Sequence, residues 1–241
     1  APAYRESEKT IGALMAELGN RDRLFIATKV TAPGGSLEQG RAMIEESFRR
    51  LQTAQIDLLQ VHNVDGVDLL MPEMLSLKRA GRIRYIGVTT SRAEQYPVML
   101  AAMRRHPLDF IQVDYSLGNR GAAEAVLPLA RQRRQAVLIN LPFGGRRDAN
   151  LFARTSGRDL PPWAAEFGAG SWAQLFLKYV ISHPAVTAAI PGMTKLANLE
   201  DNARAGFGAL PDAAMRQRME DFWDREIAPA MPVPARVTPP A

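Results

Sequence analysis

The sequence predicts an α/β fold built on a parallel sheet, and three observations carry that prediction. Six short apolar runs recur along the chain, near-continuous rather than alternating in polarity, which is how strands read when helices cover both faces of their sheet. The stretches between them place apolar residues at helical spacing. The starts of the first five runs lie 32, 27, 26 and 27 residues apart, a regular β-α repeat. Such an alternation fits either an eight-stranded barrel or an open doubly wound sheet.

The predicted strands are Leu24–Val30, Ile56–His62, Ile83–Thr90, Asp109–Tyr115, Ala136–Phe143 and Val186–Pro191. Ile11, Leu14, Met15 and Leu18 form one helical stripe, and Ile44, Ser47, Phe48 and Leu51 another. Capping boxes are expected at Ser36 with Gln39, Ser91 with Glu94, and Ser171 with Gln174. Gly81 reads as a helix stop. The sixth strand follows the fifth after 50 residues, because Gly144–Gly170 is inserted and shows no periodicity of its own. It is expected to be a long functional loop. Residues 1–227 are read as one domain, and Ala228–Ala241, with five prolines, as a tail without secondary structure.

A chain of 241 residues with 46% hydrophobic content can bury one substantial core. No run approaches the roughly 20 apolar residues of a membrane span, so a soluble protein is expected. The net charge of +5 comes mainly from arginines in helix-like stretches such as Arg131-Gln132-Arg133-Arg134, which read as solvated helix ends rather than a nucleic-acid surface. With no cysteine and three histidines in no metal-ligand spacing, disulfides, thiolate chemistry and a metal site are not expected.

Polar residues interrupt or close these apolar runs in comparable places. Lys29 closes the first, although lysine is almost never buried without a reason. His62 closes the second, and Thr89 and Thr90 the third. Gln112 interrupts the fourth and Asn140 the fifth. In parallel β/α folds the C-terminal ends of the strands share one side, so these groups are expected to converge on a single mouth.

Six segments in order resemble the aldo-keto reductase family: Tyr4-Arg5-Glu6-Ser7-Glu8, Ala27-Thr28-Lys29-Val30, Asp57–Asn63, Gly81–Val88, Ile111-Gln112-Val113 and Ile190-Pro191-Gly192. The similarity runs from about Ala1 to about Phe207. It implies a (β/α)₈ TIM barrel of which this chain supplies strands three to eight. The absence of a G-x-G-x-x-G turn also weighs against the open doubly wound sheet. The implied activity is reduction of aldehydes or ketones by hydride transfer from NADPH. Tyr4 would be the proton donor, Lys29 would make its phenol a better acid, and His62 would orient the carbonyl. The tetrad aspartate of the family would fall two residues before Ala1, so the natural N-terminus is expected to lie upstream.

The resemblance also implies a cofactor site. Thr89, Thr90 and Gln112 match the group holding the nicotinamide amide, and Asn140 stands where many members stack a tyrosine. Pro142, Phe143 and Gly144 match the loop beside the pyrophosphate. Gly192, Met193, Thr194 and Lys195 match the segment around the adenosine ribose phosphate, and Asp201 and Asn202 the pair at the adenine. Arg5 replaces the usual glycine after the tyrosine.

Without the resemblance, Tyr4 is an exposed tyrosine near a chain end, His62 a satisfied strand-end histidine, and Gln112 a partner for buried backbone. Trp163 and Trp172 read as packing residues around the long loop. The family also has precedent for a catalytically silent NADP-binding barrel acting as a regulatory or structural subunit, which is the alternative function. The expected partner is a small carbonyl substrate, with no nucleic acid or membrane, in a monomer or weak homo-oligomer. A cytoplasmic location is expected, with a periplasmic one left open.

Overall fold

A computed structural model of the chain describes residues 1–145 and 150–230. They form an α/β fold on a six-stranded parallel sheet in the order β1-β2-β3-β4-β5-β6. Two compact units are distinguished. The first comprises Ala1–Asp114 with Gly121–Leu138, and the second Tyr115–Arg120 with the described residues from Ile139 onward.

In the first unit, α1 (Ser7–Leu18) precedes β1 (Ala27–Val30), and α2 (Leu37–Leu51) leads to β2 (Ile56–Val61). Ser36 caps α2 by accepting the Gln39 N–H at 3.2 Å, and the predicted stripe Ile44, Ser47, Phe48 and Leu51 is its buried face. Helix α1 lies so close to α2 that a Cβ at Gly12 would stand 2.2 Å from the Arg50 carbonyl oxygen. Next come α3 (Val67–Arg79), β3 (Ile83–Thr89), α4 (Tyr96–Arg105), β4 (Phe110–Asp114) and α5 (Val126–Gln132). Gly81, at φ 72°, ends α3 as expected: its N–H meets the Lys78 carbonyl, and the Arg82 N–H meets Leu77. The arginines at the end of α5 are exposed, as predicted.

All six residues of β2 are buried, which explains its near-continuous apolar reading. Asp57 is tolerated there because its carboxylate accepts the Ile26 N–H at 2.8 Å, Arg21 at 2.8 Å and Arg84 at 2.8 Å. Burial pushes that carboxyl up, but these three donors outweigh it and hold it below the usual carboxylate range.

Strand β5 (Ala136–Asn140) runs from the first unit into the second. In the second unit, α6 (Leu151–Thr155) and a 3-10 turn at Pro162–Phe167 are followed by α7 (Trp172–Ile181) and β6 (Ala188–Ala189). Helices α8 (Leu196–Arg204) and α9 (Ala213–Phe222) close the series, and one π-helical turn, Trp223–Ile227, continues α9. Ser171 caps α7 through the Gln174 N–H at 3.1 Å. Trp163 is buried against Phe222.

Three expectations are corrected. The Ser91–Glu94 box does not form: the Thr90 hydroxyl takes the Arg92 N–H at 3.1 Å, and a 3-10 turn at Ala93–Gln95 precedes α4. Within Gly144–Gly170, α6 is set by Asn150, whose side chain accepts the Phe152 N–H at 2.9 Å. A five-residue helix shows no periodicity that a sequence can display, and residues 146–149 lie outside the described set. Ala228–Ala230 forms a 3-10 turn, while the rest of the predicted tail lies outside the described residues.

Candidate active site

Registry brings the strand-end polar residues of the first unit onto one face, in two successive layers. Lys29 pairs in register with Gln60, Gln60 with Gly87, and Thr89 with Gln112. Because side chains alternate across a strand, this register places Lys29, Gln60, Thr89 and Gln112 on one face of the sheet. His62 follows β2 by one residue. The turn after it is strained: Asn63 has φ 55° and the β-branched Val64 φ 52°. Strain of this kind costs on the order of 1–3 kcal/mol per residue and persists where surrounding structure fixes the turn.

Tyr4 ends a 3-10 turn, Pro2–Tyr4, that leads into α1, and it is 53% exposed. Its ring meets the His62 ring edge-on at 5.8 Å between centroids. The Lys29 ammonium lies 5.6 Å from the Tyr4 centroid, within cation–π range. The three residues proposed from the sequence are therefore brought together. Lys29 is only 9% exposed, and no carboxylate among the described residues forms an ion pair with it. Burial holds its amine below the usual lysine value. Burial, and then the positive charge of Lys29, lower His62 below the usual histidine range, so its imidazole is neutral at pH 7.

The helix behind Tyr4 is tied to the lysine strand by a residue that sequence reasoning did not single out. Glu8 is buried on α1, and its Oε1 accepts the Thr28 hydroxyl at 2.5 Å, next to Lys29. Gln60 was also passed over. Its signal was a polar residue inside an apolar run, two positions before His62 and so in phase with it. The Gln60 Nε2 donates to Gln112 Oε1 at 3.2 Å. Thr89 and Thr90 are buried beside Gln112; the Thr90 N–H donates to the Gln112 carbonyl at 3.0 Å, and its hydroxyl donates to Gln95 at 2.5 Å.

The remaining predicted residues lie in the second unit. Asn140 ends β5 and is half-buried. Leu141, at φ 50°, and Gly144, at φ 78°, make the tight turn holding Pro142 and Phe143, closed by the Gly144 N–H to Leu141 at 2.9 Å. Gly192, Met193, Thr194 and Lys195 are exposed ahead of α8. Asp201 is fixed by the Ser171 hydroxyl at 2.7 Å and the Gln174 amide at 2.6 Å. A cleft of about 390 Å³ is lined by Phe143, Trp172, Gly192, Asn198, Asp201 and Asn202, among others. Aromatic walls, a glycine and an Asp–Asn pair suit a planar heterocycle carrying polar edges, so these residues fit the adenosine half of a dinucleotide. Among the described residues no cluster could hold a metal ion, and no helix is long and apolar enough to cross a membrane.

Comparison with known proteins decides the family, because residues 1–221 match the aldo/keto reductase family. This chain belongs to that family. It is 36% identical over 152 residues to the aldo-keto reductase YhdN of Bacillus subtilis, a match covering 58% of this chain. In that match the chain spans 45% of the length of the relative. It is 26% identical to the probable aldo-keto reductase 1 of Glycine max, covering 94% of this chain and 72% of that protein. Among solved structures, the apo form of the aldo-keto reductase AKR11C1 from Bacillus halodurans superimposes with a TM-score of 0.70 at 24% identity, over 89% of this chain and 76% of that one. A Klebsiella pneumoniae aldo-keto reductase in complex with NADPH does so with a TM-score of 0.64 at 24% identity, over 90% and 75%. At that identity the likeness establishes the fold of this aldo/keto reductase family member.

Proposed function

We propose that this protein reduces small aldehyde or ketone carbonyls with NADPH. The observation that carries the reading is the approach of Tyr4, the buried ammonium of Lys29 and the neutral imidazole of His62 around one point at the strand ends. NADPH, when bound, supplies the hydride that reaches the carbonyl carbon. The Tyr4 hydroxyl donates its proton to the carbonyl oxygen, with the Lys29 ammonium beside its ring. Neutral His62 retains one ring N–H with which to orient the carbonyl. Exposure of Tyr4 leaves it open to substrate.

Thr89, Thr90 and Gln112 hold the nicotinamide amide in this reading, with Asn140 beside the ring. Pro142, Phe143 and Gly144 border the pyrophosphate. Gly192, Met193, Thr194 and Lys195 meet the adenosine phosphate, and Asp201 and Asn202 the adenine. The six strands correspond to strands three to eight of a (β/α)₈ barrel spanning residues 1–227. Coverage of about three-quarters of the structural neighbours supports that assignment.

The test is Tyr4→Phe, assayed by loss of NADPH absorbance against a panel of small aldehydes and quinones. Turnover falls by two orders of magnitude or more, on the order expected for loss of a general acid, while the cofactor dissociation constant is unchanged. Equal loss of cofactor binding would make Tyr4 a structural residue. A wild-type protein that binds NADPH but leaves it unoxidised in the presence of every carbonyl of the panel would be the silent barrel instead.

A further inference from the structure

Gln60 lies next to the C-terminal end of β2, fully buried between Leu59 and Val61. Its side chain crosses the neighbouring strand where that strand has no side chain of its own. Gly87 stands opposite it, and a Cβ there would approach the Gln60 Cγ to 3.2 Å and the Phe110 carbonyl oxygen to 2.6 Å. Past this gap the Gln60 Nε2 reaches Gln112 Oε1 on β4.

The arrangement is poor for stability. Gln60 Oε1 is buried and meets no hydrogen-bond donor among the described residues. An orphaned buried carbonyl loses its hydration without return, whereas methionine or leucine would fill the same space with no polar atom. What the bond does achieve is to fix the amide of Gln112. With its oxygen held from behind by Gln60, that amide turns over only together with the Gln60 amide or at the loss of the bond. Its NH₂ group has no protein partner among the described residues and remains as a donor.

We infer that Gln60 is a positioning residue, which fixes Gln112 so that its NH₂ group meets the carboxamide carbonyl of the nicotinamide. The inference rests on the proposed use of NADPH and adds to it a residue that never touches the cofactor.

The experiment compares wild type, Gln60→Met, Gln60→Leu, Gln112→Met and the Gln60→Met/Gln112→Met double variant in the full chain. Dissociation constants are measured for NADPH and for 2′-phospho-ADP-ribose, which lacks the nicotinamide, together with the thermal midpoint of each protein. The Gln60 variants are expected to weaken NADPH about fivefold to tenfold, as for loss of one hydrogen bond, with the 2′-phospho-ADP-ribose constant and the thermal midpoint unchanged or the midpoint raised. In the Gln112→Met background, Gln60→Met should have no further effect. Fully additive losses, or equal losses for both ligands with a lowered midpoint, overturn the positioning role. So does an unchanged NADPH constant in both Gln60 variants when Gln112→Met weakens it, and that result leaves the proposed function standing. A wild-type protein that binds neither ligand overturns the function and this inference together.

Discussion

The Lys29 ammonium lies 5.6 Å from the ring centroid of Tyr4, and no carboxylate among the described residues pairs with it there. A buried charge without an ionic partner destabilises a fold, and a site that keeps one is trading stability for chemistry. Lys29→Met is therefore expected to raise stability by roughly 1–2 kcal/mol, read as the midpoint of urea unfolding. The same variant should lower turnover by about a hundredfold or more. A variant less stable than wild type would show that the lysine is held by interactions that this geometry does not contain.

His62 makes stability depend on pH in a definite direction. Burial and the Lys29 charge place its folded value below the ordinary 6.5. Between the folded value and 6.5 the unfolded chain binds the proton and the folded chain does not, so stability rises with pH through that window. As pH falls from 6.5 through the folded value, this contribution is lost. The urea midpoint of wild type should drop over that range relative to His62→Asn, and the two curves should run parallel above pH 7. Parallel curves throughout would mean that His62 is not desolvated.

Most of the site was legible in the sequence because parallel strands end their apolar runs on one side. Lys29, His62, Thr89 and Gln112 declared themselves as polar interruptions at comparable positions. The strained turn at Asn63 and Val64 did not: asparagine tolerates a left-handed backbone, but nothing in a β-branched valine signals one. Glu8 was hidden because a glutamate on a helix reads as solvated until the strand that buries it is placed. The Ser91–Glu94 pattern misled because Thr90, one residue earlier, takes the Arg92 N–H instead, and a 3-10 turn at Ala93–Gln95 follows. In the second unit the short α6 was beyond any periodicity argument, whereas the caps at Ser36 and Ser171 were readable from local chemistry alone.

Gly12 is where packing controls the site from a distance. An added Cβ would sit 2.2 Å from the Arg50 carbonyl oxygen, and backbone on both helices leaves nothing flexible to yield. Gly12→Ala should cost about 2–3 kcal/mol and push α1 away from α2. Tyr4 precedes that helix directly and Glu8 lies on it, so turnover should fall more than the loss of folded protein explains. Gly170→Ala, whose Cβ would meet nothing closer than 3.6 Å, is the control and should be neutral. Near-neutral behaviour of Gly12→Ala, seen as an unchanged unfolding midpoint, would mean that the two helices separate freely.

Lys195 tests the cofactor preference. It is exposed at the N-cap of α8, where no side chain caps the first turn. Unsatisfied N–H groups and the positive end of the helix dipole favour an anion there, and a lysine beside them adds a mobile positive charge. A 2′-phosphate at this point would gain a charge-assisted contact of about 1.5–3 kcal/mol when well formed. NADH lacks that phosphate and would leave Lys195 solvated without strain, so the discrimination should be appreciable but not absolute. Asn198 lines the adjoining cleft three residues further on, where many family members place an arginine. Lys195→Ala should reduce the ratio of NADPH to NADH affinity by about tenfold, read as paired dissociation constants from fluorescence quenching. Asn198→Arg should move the same ratio the other way, since a second cation joins the phosphate. If Lys195→Ala weakens both cofactors equally, or leaves their ratio where it was, Lys195 is a solvated cap and the preference for NADPH loses its main support.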